Sequence, residues 1–300
     1  IQVMQAKHGD ALILHCNKSD KRGVIVIDGG PSPNPRFNPF VKEVENCLPI
    51  DLMILTHFDD DHLVGIKNFI ERHQNDIPFP VKRIWANCAK HVYFDTSENL
   101  SSNKASKMAD LLCAISQKSE LDWEAYRLEG FVDDTIAFAD IDIINPRKDI
   151  FKHFIENYKE EYNVECTEEN LSMLKKPNSD INIDMHELAQ RGKTLGNLNK
   201  PSELVNMVSL SMLIRCDTFS ILILGDSFPQ EIYLYLIERG YSKENKLQVD
   251  FIKMSHHGSA NNISNDLLDI IDCNKFIIST NGGKGYKHPH REAIANVLCH

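Results

Sequence analysis

Thr56-His57-Phe58-Asp59-Asp60-Asp61-His62 sets two imidazoles and three carboxylates within a single short stretch. It follows the apolar run Leu52-Met53-Ile54-Leu55 and precedes Leu63-Val64-Gly65-Ile66, so it reads as the link between a buried strand and a helix. A short strand ending in a tight loop projects alternate side chains toward one locus. On that geometry His57, Asp59 and Asp61 converge, with His62 at the start of the helix. Three clustered carboxylates repel one another unless a cation neutralises them. Imidazole nitrogen with carboxylate oxygen suits zinc, manganese, iron or magnesium. The plainer alternative is a solvated acidic turn in which Asp60 or Asp61 caps the helix, but capping requires neither His57 nor His62.

The pattern Thr-His-x-Asp-x-Asp-His resembles the ComEC-like variant of the metallo-β-lactamase signature, with Asp59 where most of that superfamily has a second histidine. The resemblance implies an α/β fold, a four-layer αββα sandwich with a one- or two-metal hydrolytic centre at one edge, and it requires later motifs in order. Gln2-Val3-Met4 and Ala11-Leu12-Ile13-Leu14 around Lys7-His8-Gly9-Asp10, then Val24-Ile25-Val26-Ile27-Asp28-Gly29-Gly30, are similar to the family's opening strands. Asp28 reads as a turn-fixing or supporting carboxylate. The glycine pair after it permits a sharp turn, because glycine takes positive φ without steric cost.

Downstream, Phe219 to Leu224 reads as a strand that stops at Gly225-Asp226-Ser227, and Asp226 resembles the family's metal-bridging aspartate. Asn206 stands about where most members carry a third histidine. It either offers its amide oxygen to a metal or hydrogen-bonds Asp59 or the hydroxide, and Ser209 reads as a supporting residue. Ser255-His256-His257-Gly258-Ser259 is similar to the family's His-His-Gly-Ser motif. His256, nearest the strand end, is favoured as the ligand, with His257 supporting it or touching substrate; the opposite assignment stays open. Tyr286-Lys287-His288-Pro289 resembles the Tyr-x-His-Pro element, with Pro289 expected in the first turn of the last helix so that His288 aims at the site.

The resemblance thus implies two divalent ions, or one, with zinc or manganese foremost. His57, Asp59 and, on one reading, Asn206 hold the first; Asp61, His62 and His256 hold the second; Asp226 bridges them. A metal-held water becomes hydroxide near neutral pH, oriented by Asp61, while His288 or His257 stabilises the oxyanion or protonates the leaving group. The substrate class that fits the ComEC-like pattern is a phosphodiester such as DNA, which makes the chain a phosphodiesterase or nuclease. Its rivals are a hydrolase of small molecules, such as a lactone, a phosphoester or a nucleotide, and a non-catalytic sensor or interaction module in a defence or signalling assembly.

Composition sets the frame. A chain of 300 residues with 42% hydrophobic content can bury one large core, so residues 1–300 are expected to form a single domain. The polar, charge-rich stretch 147–202 breaks the α/β rhythm and reads as an insertion, either a cap over the active-site edge or a mobile surface excursion. Helices are predicted at Phe40 to Leu48, Leu63 to His73, Ala105 to Ser119 and Gln230 to Arg239. The net charge of −10 argues against a conventional nucleic-acid binder. It leaves a nuclease open, since metals add local positive charge. Lys82-Arg83, Lys175-Lys176, Lys284 and Lys287 either form a basic rim or are ordinary solvated side chains. No apolar run is long enough to cross a bilayer, and no signal peptide is apparent. Eight cysteines without a Cys-x-x-Cys pair predict reduced thiols and a cytoplasmic protein. His15, His73, His91, His153, His186 and His300 lie in no ligand-spaced cluster.

Overall fold

The computed structural model describes residues 1–31, 39–86, 104–132, 135–161, 183–197, 204–282 and 288–300. The first sheet takes its strands in chain order: β1 (Gln2–Val3), β2 (Leu12–His15), β3 (Val24–Ile27), β4 (Ile50–Leu55), β5 (Val81–Ala86) and β6 (Asp122–Glu124). β1, β2 and β3 pair antiparallel, whereas β3 through β6 are parallel. Parallel neighbours need a crossover. α1 (Phe40–Glu45), α2 (Asp60–His73) and α3 (Lys104–Ser116) lie in those connections.

In the second sheet, β7 (Gly130–Phe131), β8 (Asp140–Asn145), β9 (Ser211–Cys216) and β10 (Phe219–Ile223) are antiparallel. β12 (Phe251–Lys253) and β14 (Phe276–Ile277) continue it in parallel, while β11 (Leu247–Gln248) and β13 (Ile271–Asp272) pair separately. α4 (Lys148–Glu161), α5 (Met185–Gln190) and α6 (Leu204–Met207) lie between β8 and β9. α7 (Pro229–Glu238), α8 (Asn265–Asp269) and α9 (Arg291–Cys299) complete the chain.

The two-residue period of the strands sorts their side chains into three cores. Leu12, Leu14, Ile25, Ile27, Leu52, Ile54 and Trp85 of the first sheet meet Ile141, Ile143, Met212, Ile214, Ile221 and Ile223 of the second. The intervening Ile13, Val26, Met53 and Leu55 point the other way, onto Phe40 and Val44 of α1, Leu63, Ile66, Phe69 and Ile70 of α2, and Leu112 of α3. Leu213, Leu222 and Ile252 likewise face Ile232, Leu236 and Leu267 on the far side. Helices, sheet, sheet, helices: this is the four-layer αββα sandwich. Strands buried on both faces explain why runs such as Val24–Ile27 are apolar throughout rather than alternating.

Several boundaries differ from expectation. The apolar stretch Val205 to Ile214 comprises the end of α6, a turn through Ser209, and then β9. β5, β6, β7 and β8 were not singled out by pattern. Lys82 and Arg83 do not form a rim at the site. They sit on β5 beside Asp51 and Asp122, each pair 2.7 Å apart, at the strand end opposite the His57 loop, because Val81 pairs with Ile50 and Ala86 with Leu55. Lys175, Lys176, Lys284, Lys287, Tyr286 and His91 lie outside the described residues.

The described parts of the insertion are packed down. Phe151 and Phe154 of α4 contact Leu204 and Val208, and so support α6. Residues 183–197 are tied to the segment after the double histidine: Asn265 N donates to Lys193 O (3.0 Å), Leu195 N to Asp266 Oδ2 (2.7 Å) and Arg291 to Ile183 O (2.9 Å).

Reduced thiols are not what the structure shows at one pair. Cys16, after β2, is disulfide-bonded to Cys216 at the end of β9, with Cα atoms 5.5 Å apart and 200 residues between them in sequence. Spacing rules see local motifs only, so this pairing of distant strands is invisible to them. It ties the two sheets together at the end away from Asp28 and Ser209. Reduction, or Cys216→Ser, is expected to lower stability by about 2–4 kcal/mol; denaturant midpoints with and without a thiol reductant check this. Among the described residues, no helix is long and apolar enough to cross a membrane.

Candidate metal centre

β3, β4, β10 and β12 all end at the same edge of the sandwich, and the loops that leave them carry Asp28, the His57–His62 cluster, Asp226 and the His256-His257 pair. β4 itself stops at Leu55, and Asp61 and His62 already lie in the first turn of α2. The convergence therefore comes from the strand-to-helix turn, not from alternation along a strand. Gly29 makes that turn possible by close approach: its N donates to His62 O at 2.7 Å, and a Cβ on Gly29 would lie 2.3 Å from Ile66 N. Positive φ falls instead on Asp28 and Gly30.

Buried Asp28 organises the histidines. Its Oδ1 accepts from Thr56 N, and its Oδ2 accepts from the Thr56 hydroxyl and from His62 Nδ1, all at 2.8 Å. With its proton committed to Asp28, the Thr56 hydroxyl oxygen can only accept, and His57 Nδ1 donates to it across 3.0 Å. The Ser209 hydroxyl lies 3.2 Å from the same nitrogen and accepts from Asp226 N at 3.0 Å. Gly225 permits this approach, since its φ is +51° and a Cβ there would sit 2.4 Å from Ser209 Oγ. Both histidines thus have their Nδ1 protons engaged, so each Nε2 aims inward and would present a lone pair to an ion that displaces its proton.

The inward target is Asp226. His62 Nε2 lies 3.5 Å from its Oδ1; His57, His256 and His257 Nε2 lie 3.7, 3.8 and 3.9 Å from its Oδ2. His57 Nε2, His62 Nε2 and Asp226 Oδ1 are buried without a hydrogen-bond partner, and ligand atoms of these three residues lie within 4.8 Å of one another. Each such unsatisfied group costs about 1–3 kcal/mol. Two lone pairs around one carboxylate are what a divalent ion takes up, so the residues fit a metal. Asp61, His62 and His257 form a second group of the same kind. There His257 Nδ1 donates to Ser279 O at 3.0 Å, and its Nε2 lies 3.1 Å from Asp61 Oδ2.

Charge follows this geometry. Burial opposes charge on His62, but Asp226 and Asp28 outweigh it and hold the ring well above the ordinary imidazole range. Burial also works against His257, which Asp10, Asp61 and Asp226 nevertheless bring up to about 10. Asp226 stays well below the carboxylate range because four histidines outweigh its burial, and Asp61 is brought down to about 2 in the same way, chiefly by its bond with His257. His288 goes the other way: burial and then His256, His290 and His257 push it down to about 3, so its ring is neutral.

The double histidine is held by an unusual backbone. His256, His257 and Gly258 all have positive φ (46°, 54° and 83°), a region that costs a non-glycine residue about 1–3 kcal/mol. His256 N donates to Gly225 O at 3.0 Å, which joins this turn to the Asp226 loop. Of the pair, His257 is buried and anchored through its far nitrogen, whereas His256 is 24% exposed with its ring edge-on to His288, centroids 5.1 Å apart. Pro289 lies before α9 rather than in its first turn; His290 is the N-cap and accepts from Ala260 N at 2.9 Å.

Asp59 occupies the N-cap of α2 yet makes no capping bond with its side chain, which is 49% exposed and 3.7 Å from His57 Nε2. Asn206 is buried on α6, and its carbonyl accepts from Ser209 N at 3.1 Å. Pattern reading quoted Thr56 and Asp10 within motifs without giving either a role, and gave none to Lys253 or Ser279. Only Lys253 left a trace in the sequence, as a lysine inside an otherwise apolar strand.

The sequence matches no known family and no curated protein. Among solved structures, a mutant of the CmlA beta-hydroxylase is 12% identical over 98% of this chain, with a TM-score of 0.40. Zn(2+)-bound PqqB from Methylobacterium extorquens is 9% identical over 83%, with a TM-score of 0.35. The chain spans 48% of the length of the first and 60% of the second. The layered sandwich stands on this chain's own two sheets, and it is the architecture that the metallo-β-lactamase resemblance implies. A buried His/Asp cluster at one edge of it could hold a metal ion.

Proposed function

We propose that the chain is a metal-dependent phosphodiesterase or nuclease, with DNA among its substrates and zinc or manganese as its ion. The observation that carries the metal is the set of buried, inward-facing atoms His57 Nε2, His62 Nε2 and Asp226 Oδ1, which lack a hydrogen-bond partner. His57, Asp59 and Asp226 would hold one ion, with Asn206 as the amide-oxygen candidate for it. Asp61, His62 and His257 would hold a second, Asp226 lying between the two. His257 replaces His256 in this assignment, because its other nitrogen is already committed to Ser279 O. When bound, such a pair neutralises a phosphoryl oxygen and acidifies a water.

The remaining groups divide the work on the substrate. Asp61 stands at the mouth and orients the attacking water. His256 and the neutral His288 line the open side and hydrogen-bond the oxygens of the scissile group. Residues 183–197, fastened to Asn265, Asp266 and Arg291, form a cap that limits what enters. The phosphodiester class is supported by the order and spacing of the motifs. The same proposal places the protein in the cytoplasm, where Cys16–Cys216 would have to withstand a reducing pool; alkylation in intact cells reads the state of that pair.

Protein purified without added metal is expected to contain up to two equivalents of ion by elemental analysis. It should cleave single-stranded DNA and bis(p-nitrophenyl) phosphate, lose that turnover to a chelator, and regain it with zinc or manganese. Turnover of a lactone alone would replace the phosphodiester class with the small-molecule one. A fully loaded protein that turns over neither would instead be a sensor.

A further inference from the structure

We propose that Lys253, acting through Asp10, is a positioning residue that aims His257 at the second ion, an inference that rests on the metal reading above. Lys253 is fully buried. Its Nζ donates to Met254 O at 2.8 Å and forms an ion pair with Asp10 Oδ2. The other Asp10 oxygen lies 3.4 Å from His257 Nδ1, the nitrogen that donates to Ser279 O. The ammonium and its carboxylate thus stand behind the imidazole, with Asp10 Oδ1 in charge contact with Nδ1 rather than hydrogen-bonded to it, while the near side faces Asp61.

The surroundings make Asp10 more than a neighbour. Its N donates to Asp61 O at 3.1 Å, and the Ser279 hydroxyl donates to Gly9 O at 2.6 Å, so this turn of the first sheet clamps both flanks of the second group. A Cβ on Gly9 would lie 1.9 Å from Asp61 O, which shows how tightly the turn is pressed against α2. Ligand atoms of Asp10, Asp28 and His62 also lie within 4.8 Å of one another. In that third group Asp10 already has a cation partner in Lys253.

The test uses Asp10→Asn with Lys253→Met in one chain, because removing the pair together leaves no buried charge behind. Circular dichroism and melting establish that the double variant is folded, and the single Asp10→Asn variant is measured beside it. Zinc affinity is read by chelator competition, and the site by the visible spectrum of added cobalt(II). The double variant is expected to bind one equivalent as the wild type does and the other about 10–100-fold more weakly, the usual effect of losing such an outer partner. Unchanged affinity for both equivalents overturns the proposal, as does a double variant that cannot fold, which would make the pair structural only. A wild-type chain that binds no ion fails the metal reading itself, so the two failures are distinguishable.

Discussion

Replacing Asp226 by asparagine is expected to abolish turnover, by at least about a thousandfold, while leaving the fold intact. Among the described residues, Asp226 is the one group that faces His57, His62, His256 and His257 together. The amide keeps the shape and removes the negative charge that would hold a cation among those imidazoles. Transition-state stabilisation by metal centres of this kind is worth several kcal/mol, and each 1.36 kcal/mol is tenfold in rate. Ion content should fall in parallel, below one equivalent per chain by elemental analysis. A variant that keeps its full ion content would show that the centre has been placed wrongly, whatever happens to activity.

Gly65→Ala is expected to be among the most damaging single methyl groups at the described residues. A Cβ at this position would lie 2.0 Å from the backbone oxygen of Gly29 and 2.7 Å from its carbonyl carbon. Backbone cannot rotate aside as a flexible side chain can. α2 would have to lift from the Asp28 turn, breaking the bonds from Gly29 N to His62 O and from Gly65 N to Gly30 O. Overpacking of this kind costs about 1–3 kcal/mol, occasionally more. The denaturant midpoint should fall accordingly, and ion affinity should fall with it, because the displaced helix carries Asp61 and His62. Gly196→Ala is the control: its Cβ would meet nothing nearer than Thr194 Oγ1 at 3.9 Å, and it should move stability by less than about 0.5 kcal/mol.

Much of the candidate site is legible in the chain because ligand chemistry is written locally. The cluster His57 to His62, the Gly225-Asp226 turn and the double histidine each end an apolar run, and strand ends are where such side chains gather. The helix-cap alternative named Asp60 or Asp61, but both lie inside the first turn of α2, where the N-cap is Asp59 and its side chain makes no capping bond. Less legible was the outer layer. Nothing in the spacing of Asp10, Thr56, Lys253 and Ser279 joins them to one another, since they come from four separate segments brought together only by the packing of one sheet on the other.

The amino-acid sequence by itself determined the kinds of donor available, their order along the chain and the apolar runs whose burial on both faces makes a layered sandwich. These are properties of neighbours in the chain, carried by periodicity and turn chemistry. Only the tertiary structure decided which nitrogen of each histidine faces inward, which of His256 and His257 is anchored, and that Cys16 meets Cys216. Each of those depends on contacts between residues tens to hundreds of positions apart. The donors could be read from composition, whereas their aim is set by Asp28, Ser209 and Ser279 from other loops.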